Sequence, residues 1–376
     1  MTVQHGPLFR PFEHKTLKLR NRIAMAPMTR LASPGGVPTA AMAAYYERRA
    51  LGGVGLVISE GTVVDRPSSS TGWPQIPRFH GEAPLKMWKS VVEKVHHAGA
   101  AMAPQIWHMG VQADNPEGPV GLPEAEGPSR FYAPGKANGR AMTVADIEAT
   151  VEAFARSARH AKDLGCDSVE IHAAHGYLID QFFWDATNDR TDRYGGGTIA
   201  ERSRFALEIV KAVREAVGPD FAVILRLSQW KESDFKVKLA HNPSELESWL
   251  TPLAAAGVDI FHCSQRRYWE PEYEGSDLNL AGWAKKITGC PTITVGSVGL
   301  QGDDWGKPAA GDARSKGDDA KLRALDDLLE RLDRGEFDVV AVGRALITNP
   351  EWAAMVQDGR FDQLKGYDVE DLRRIA

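Results

Sequence analysis

Short apolar runs alternate along the chain with longer segments in which apolar residues return every three or four positions. The runs cover residues 22–27, 54–61, 100–108, 167–172, 221–228, 258–264, 291–296 and 337–344. Each is close to strand length and rich in β-branched residues. Most are apolar without strict polar alternation, the pattern of a strand covered on both faces. The intervening segments read as helices. One is expected over 144–164, with Thr143 and Asp146 as an N-terminal cap and Gly165 as its stop. Another spans 199–217 and ends at Gly218-Pro219. A third, Pro243–Ala256, opens after Asn242 and stops at Gly257. The last covers 322–332, with Leu322, Leu325, Leu328, Leu329 and Leu332 on one face.

Eight strand–helix alternations at this length predict an α/β (β/α)8 TIM barrel, a single domain over 1–376 with inserted surface loops. The other arrangement of such units is a doubly wound open sheet. A dinucleotide-binding sheet wants a Gly-x-Gly-x-x-Gly turn after its first strand, and none stands there. Tyr194-Gly195-Gly196-Gly197 follows a polar stretch instead. Residues 114–140 are rich in Pro and Gly and are expected to run over the barrel mouth, with Phe131 and Tyr132 as apolar contacts. Residues 301–321 are polar, mixed in charge and Gly-rich, which predicts an inserted surface loop or a disordered one.

Composition narrows the class. Hydrophobic residues make up 43% of the 376 and charged residues 25%, the balance of a globular chain long enough to fold without a disulfide or metal staple. Forty-five basic against 50 acidic side chains leave a formal charge of −5, which gives no footprint for nucleic acid. The first 22 residues lack a signal-peptide core, and no apolar run approaches the roughly 18 residues of a membrane span. Cys166, Cys263 and Cys290 are scattered, as in a reducing compartment, and argue against an iron–sulfur cluster. The expected location is the cytoplasm.

Barrel enzymes place their chemistry at the C-terminal ends of the strands. Those ends are Pro27-Met28-Thr29, Glu60-Gly61, Gln105 with Trp107-His108, His172 to Tyr177, Arg226, Gly296-Ser297 and Gly343-Arg344. Few carboxylates and many neutral or cationic donors suit an anionic ligand, or charge that develops during reaction. Within six residues His172, His175 and Tyr177 supply two imidazoles and a phenol. They read as two N–H donors for a carbonyl oxygen plus a proton donor, as part of a metal site completed by Glu170 or Asp180, or as loop-bonding histidines. Gln105 is either a core amide or a ligand edge. Arg226 is either ion-paired or faces an anion. Gly296, Ser297, Gly343 and Arg344 are either tight turns or a phosphate cradle.

The blocks 21–30, Gln105-Ile106-Trp107-His108, 172–182, 188–196 and Gly343-Arg344 resemble the old yellow enzyme family of FMN-dependent barrel oxidoreductases, over about residues 8–352. The resemblance implies that Pro27, Met28 and Thr29 line the flavin, with the Thr29 hydroxyl near its carbonyl edge. It implies that Gly61 lets the ring pack closely, that Gln105 hydrogen-bonds the pyrimidine part, and that Arg226 stands beside N1. Gly296, Ser297, Gly343 and Arg344 would hold the FMN phosphate. His172 and His175 would bind the substrate's carbonyl or nitro oxygen, and Tyr177 would protonate the α-carbon. NADPH or NADH would be the hydride donor, and an enone or nitro compound the partner. Thr29 stands where one branch of the family has a redox-tuning cysteine, and Arg30-Leu31 where that branch has a substrate-facing tyrosine. Ser297 replaces the usual second glycine. Rival readings are a flavin-dependent amine dehydrogenase or demethylase, a metal-dependent barrel hydrolase at His172 and His175, and a non-catalytic flavin binder. No metal ligand set is expected. The physiological substrate, the choice between NADH and NADPH, and the oligomeric state, a homodimer included, stay open.

Overall fold

The computed structural model describes residues 6–70, 73–112, 125–300 and 319–375. Eight parallel strands close into a barrel: Ile23–Met25, Leu56–Val63, Ala101–Trp107, Ser168–His175, Ala222–Lys231, Ile260–Ser264, Thr292–Val295 and Val339–Val342. Each strand pairs with the next in sequence, and the eighth pairs with the first through Val342 and Met25. All eight predicted runs are therefore barrel strands, and the predicted fold is the observed one. The barrel interior is filled by small and branched side chains, among them Ala24, Ala26, Ile58, Ala103, Ile224, Ile260, Ile293 and Ala341.

A short antiparallel hairpin, Phe12–His14 with Leu17–Leu19, packs Phe12, Leu17 and Leu19 into this interior cluster. The run expectation missed it, because three-residue strands are too short to show a period. It turns at Lys15, a non-glycine residue at φ 53°. Thr16 ties it to the barrel by donating its hydroxyl to the Asp167 carbonyl at 2.7 Å.

The predicted helices hold with local differences. Val144–Asp163 opens on a reciprocal cap: Thr143 accepts from the Asp146 N–H, and Asp146 accepts from the Thr143 N–H. Pro243–Ala256 has the predicted bounds. The expected 199–217 helix is two, Ile199–Arg202 and Arg204–Val217, separated at Ser203. The last begins earlier, as Asp319–Asp333. Further helices, including Ala40–Leu51, Glu82–His97 and Leu280–Thr288, fill the other crossovers. Most of the polar segment 301–321 and residues 114–124 of the mouth loop lie outside the described residues. None of the described helices is long and apolar enough to cross a membrane.

Candidate active site

A cavity opens at the C-terminal end of the barrel; the residues expected to hold cofactor and substrate line it, whereas Glu60 and His108, also at strand ends, do not. The first strand contributes Pro27, Met28 and Thr29, the second Gly61, and the third Gln105. The fourth contributes His172, His175 and Tyr177, and the fifth Arg226. Gly296 and Ser297 come from the seventh, Gly343 and Arg344 from the eighth.

The fourth strand runs to His175, three residues beyond its expected end, and its pairing shifts between Ala173 and His175. The shift turns the chain. His175 lies at φ 68° and Gly176 at φ 87°, the left-handed region that glycine tolerates and a histidine adopts only when held. The residues that follow do the holding. Asp180 accepts the Gly176 N–H at 2.5 Å, and Gln181 donates its amide to the Gly176 carbonyl at 2.7 Å. Asp180 is itself paired with Lys231 at 2.6 Å, both fully buried. Thus the segment from His175 to Gln181 carries the clamps for its own turn.

The turn places aromatic rings against one another. Trp107 meets Tyr177 edge-on with centroids 4.7 Å apart, and His172 meets Tyr177 at 5.0 Å. His175 stacks on Trp230 at 4.5 Å. Gly61 has to be glycine here, because a Cβ would stand 2.3 Å from the Trp107 ring.

Both imidazoles are neutral. Burial, and after it the charge of Arg226, pushes each well below the ordinary histidine value. The Ala174 N–H donates to His172 Nδ1 at 3.3 Å, which puts the His172 proton on Nε2. Ser264 Oγ accepts from Arg226 Nη2 at 3.5 Å and lies 2.8 Å from His175 Nε2. A neutral imidazole carries one N–H, so each ring has one to offer. Burial raises the Tyr177 phenol far above its ordinary value, so it is protonated.

Gln105 and Arg226 are both partly satisfied within the protein. Gln105 donates its amide to Glu170 at 2.7 Å, which leaves its carbonyl oxygen as the acceptor. Glu170 also bonds His262 Nδ1 at 2.6 Å. Arg226 is 7% exposed, has no ion pair among the described residues, and keeps a buried Nε without a partner. A buried guanidinium in that state is a standing demand for an anion. The glycine-bearing ends of the seventh and eighth strands face the same space. A flat, hydrogen-bonding, phosphate-bearing group such as FMN fits this donor set. The third ligands suggested for a metal are engaged elsewhere, Glu170 with Gln105 and His262, Asp180 with Lys231 and Gly176.

Some lining residues were not anticipated as site residues: Trp230, Glu232, Ser264, Gln265, Val295, Val298 and Leu300 among them. Gln265 holds a buried, unpartnered Oε1. Glu232 follows the fifth strand, which ends at Lys231 and not at 228, so the strand-end rule would have found it with the correct boundary. The segment 114–140 was expected to run over the barrel mouth, and no described residue of it lines the cavity. Glu126, from this segment, bonds Arg66, Ser68 and Arg140 instead.

Comparison with known proteins matches residues 7–305 to the NADH:flavin oxidoreductase / NADH oxidase family. The chain is 39% identical over 366 residues to 12-oxophytodienoate reductase 7 of Oryza sativa subsp. japonica, covering 93% of this chain and 87% of that one. It is 34% identical over 375 residues to an NADH oxidase of Thermoanaerobacter brockii, covering 96% of this chain but 52% of the relative. Among solved structures, morphinone reductase in complex with tetrahydroNAD superposes with a TM-score of 0.78 at 29% identity, over 97% of this chain and 93% of its own. The old yellow enzyme homologue from Zymomonas mobilis gives 0.77 at 27% identity, over 98% and 96%.

Proposed function

The chain belongs to the NADH:flavin oxidoreductase / NADH oxidase family, the old yellow enzymes, and from that premise we propose that it reduces activated alkenes, with Tyr177 as the proton donor. It is an FMN-dependent oxidoreductase that draws its electrons from NAD(P)H. Bound FMN supplies the hydride chemistry, from NAD(P)H to the β-carbon of an α,β-unsaturated carbonyl or nitro compound.

The protein's residues do the rest. Pro27, Met28, Thr29 and Gly61 line the flavin's ring system, and the Gln105 carbonyl oxygen accepts from its pyrimidine edge. Arg226 places fixed positive charge at the cavity floor, which favours the more negative redox state of a bound flavin. Backbone at Gly296, Ser297, Gly343 and Arg344, with the Arg344 guanidinium, holds the phosphate. The N–H groups of His172 and His175 bind the substrate oxygen where negative charge grows. Tyr177, protonated and 5.0 Å ring-to-ring from His172, gives its proton to the α-carbon on the opposite side of the forming enolate.

The observation that carries this reading is the cluster of His172, His175 and Tyr177 on one cavity wall, with the His172 ring centred 5.3 Å from His175 and 5.0 Å from Tyr177, where burial favours neutral imidazoles and a protonated phenol. Two N–H donors suit an oxygen that becomes anionic; an amine to be oxidised would need an acceptor there. Separate measurement of the two half-reactions tests it. Tyr177→Phe should slow reoxidation by 2-cyclohexenone by about a hundredfold or more and leave reduction by NADPH or NADH within about twofold. Equal loss in both half-reactions would remove the donor role.

A further inference from the structure

Tyr177 has a neighbour that the chemistry so far leaves unused. Its hydroxyl donates to Glu232 Oε2 at 3.3 Å. Glu232 lines the cavity and is at the same time an exposed residue, so it connects the surroundings of the phenol with solvent. It makes no ion pair among the described residues. The charged and titratable groups facing it are Tyr177 from the segment after the fourth strand and Arg226 from the fifth. Lys231, next in sequence, is turned inward to Asp180. The Glu232 N–H is fixed to the His175 carbonyl at 3.2 Å, so its backbone is tied to the turn that carries Tyr177.

A phenol that has given its proton to carbon must recover one before the next cycle, and Tyr177 is only partly exposed. Trp107 and His172 close off two sides of its ring. We propose that Glu232 is the relay through which the Tyr177 phenolate regains its proton from solvent.

The proton count balances. Tyr177 O–H breaks as the α-carbon gains its hydrogen, leaving a phenolate beside the carboxylate. Solvent delivers one proton to the water-facing oxygen of Glu232. The carboxylic acid then donates to the phenolate, and the carboxylate is restored. One proton enters from water for each one placed on carbon.

The relay rests on Tyr177 being the donor, and the experiment separates the two claims. Holoenzyme reduced with one equivalent of NADPH is mixed anaerobically with 2-cyclohexenone in weak buffer containing a pH-indicator dye. Return of the flavin absorbance reports the transfer to substrate. The dye reports uptake of the solvent proton. In the unaltered protein the two traces should coincide. In Glu232→Gln the flavin trace should stay within about twofold while proton uptake lags by about a hundredfold. In Glu232→Ala, acetate should restore the uptake rate, a rescue that a merely structural role would not show. A second readout needs no turnover: removing the carboxylate in Glu232→Gln should lower the Tyr177 pKa, read by carbon-13 NMR of the phenolic carbon in the oxidised holoenzyme. Coincident traces in Glu232→Gln would overturn the relay, and so would equal slowing of both, which assigns Glu232 to positioning alone. Slow flavin reoxidation in Tyr177→Phe supports the donor role independently; its absence would remove that role and the relay with it.

Discussion

Glu60 precedes the glycine that lines the cavity, and its two oxygens have different fates. Oε2 accepts the Arg30 N–H at 2.9 Å, which anchors the chain one residue past Thr29. Oε1 is buried with no partner. Burial outweighs the hydrogen bond from Arg30 and raises the carboxyl to about 7. Because the folded-state value lies above the unfolded one, the contribution of this group is full below about pH 4.5 and is lost as pH rises to 7. Two to three pH units at about 1.4 kcal/mol each amount to roughly 3 kcal/mol. Glu60→Gln keeps an acceptor for Arg30 and removes the charge. It should therefore stabilise the protein at pH 8 by about 1–3 kcal/mol and flatten the stability profile between pH 5 and 7. Denaturant unfolding across that range checks it; an unchanged slope would mean that the carboxylate is solvated after all.

At the scale of elements, the fourth and fifth strands are joined above the barrel by a fully buried ion pair. Lys231 ends the fifth strand, and Asp180 sits in the helix Leu178–Phe183. Burial alone pulls the two toward neutrality, raising Asp180 and lowering Lys231, while their mutual attraction opposes it. Removing one partner strands the other. Lys231→Met should cost about 3–5 kcal/mol of stability, and Lys231→Met with Asp180→Leu should recover part of it. Neutral behaviour of the single variant would show that Asp180 is held by the Gly176 N–H alone.

This junction also shows what could be read from the sequence. His172, His175 and Tyr177 stood out because three proton-handling groups occur within six residues of an apolar run. Arg226 and Gln105 stood out because polar groups interrupt such runs. Glu232 did not, because the fifth strand changes from an apolar run to Gln229-Trp230-Lys231, and the pairing of Lys231 with His175, not hydrophobicity, marks where the strand ends. Gln265 lies in the loop after the sixth strand, and its burial depends on the seventh strand end, where Gln265 N donates to the Val295 carbonyl at 2.9 Å. Local pattern carries no trace of contacts of that kind. The split at Ser203 and the three-residue hairpin strands are missing from the periodicity for a different reason: a one-residue break is shorter than one helical turn, and three residues span only one and a half strand repeats.

For the molecule as a whole, all strand ends that carry expected site residues converge on one cavity. A nicotinamide and an alkene that both exchange hydride with one bound flavin must then occupy that cavity in turn. Double-reciprocal plots at several fixed alkene concentrations should give parallel lines, the signature of a ping-pong sequence. Intersecting lines would require a second binding place outside the cavity. The barrel explains how distant segments meet: positions from 27 to 344 reach one mouth because consecutive parallel strands all end on the same face.

The most direct test of flavin-dependent alkene reduction at this cavity is an anaerobic absorbance spectrum of the purified protein taken in three stages. The flavin band should be present at the start, bleach on adding NADPH or NADH, and return on adding 2-cyclohexenone. A band that bleaches but is restored by neither 2-cyclohexenone nor a nitroalkene would contradict the account.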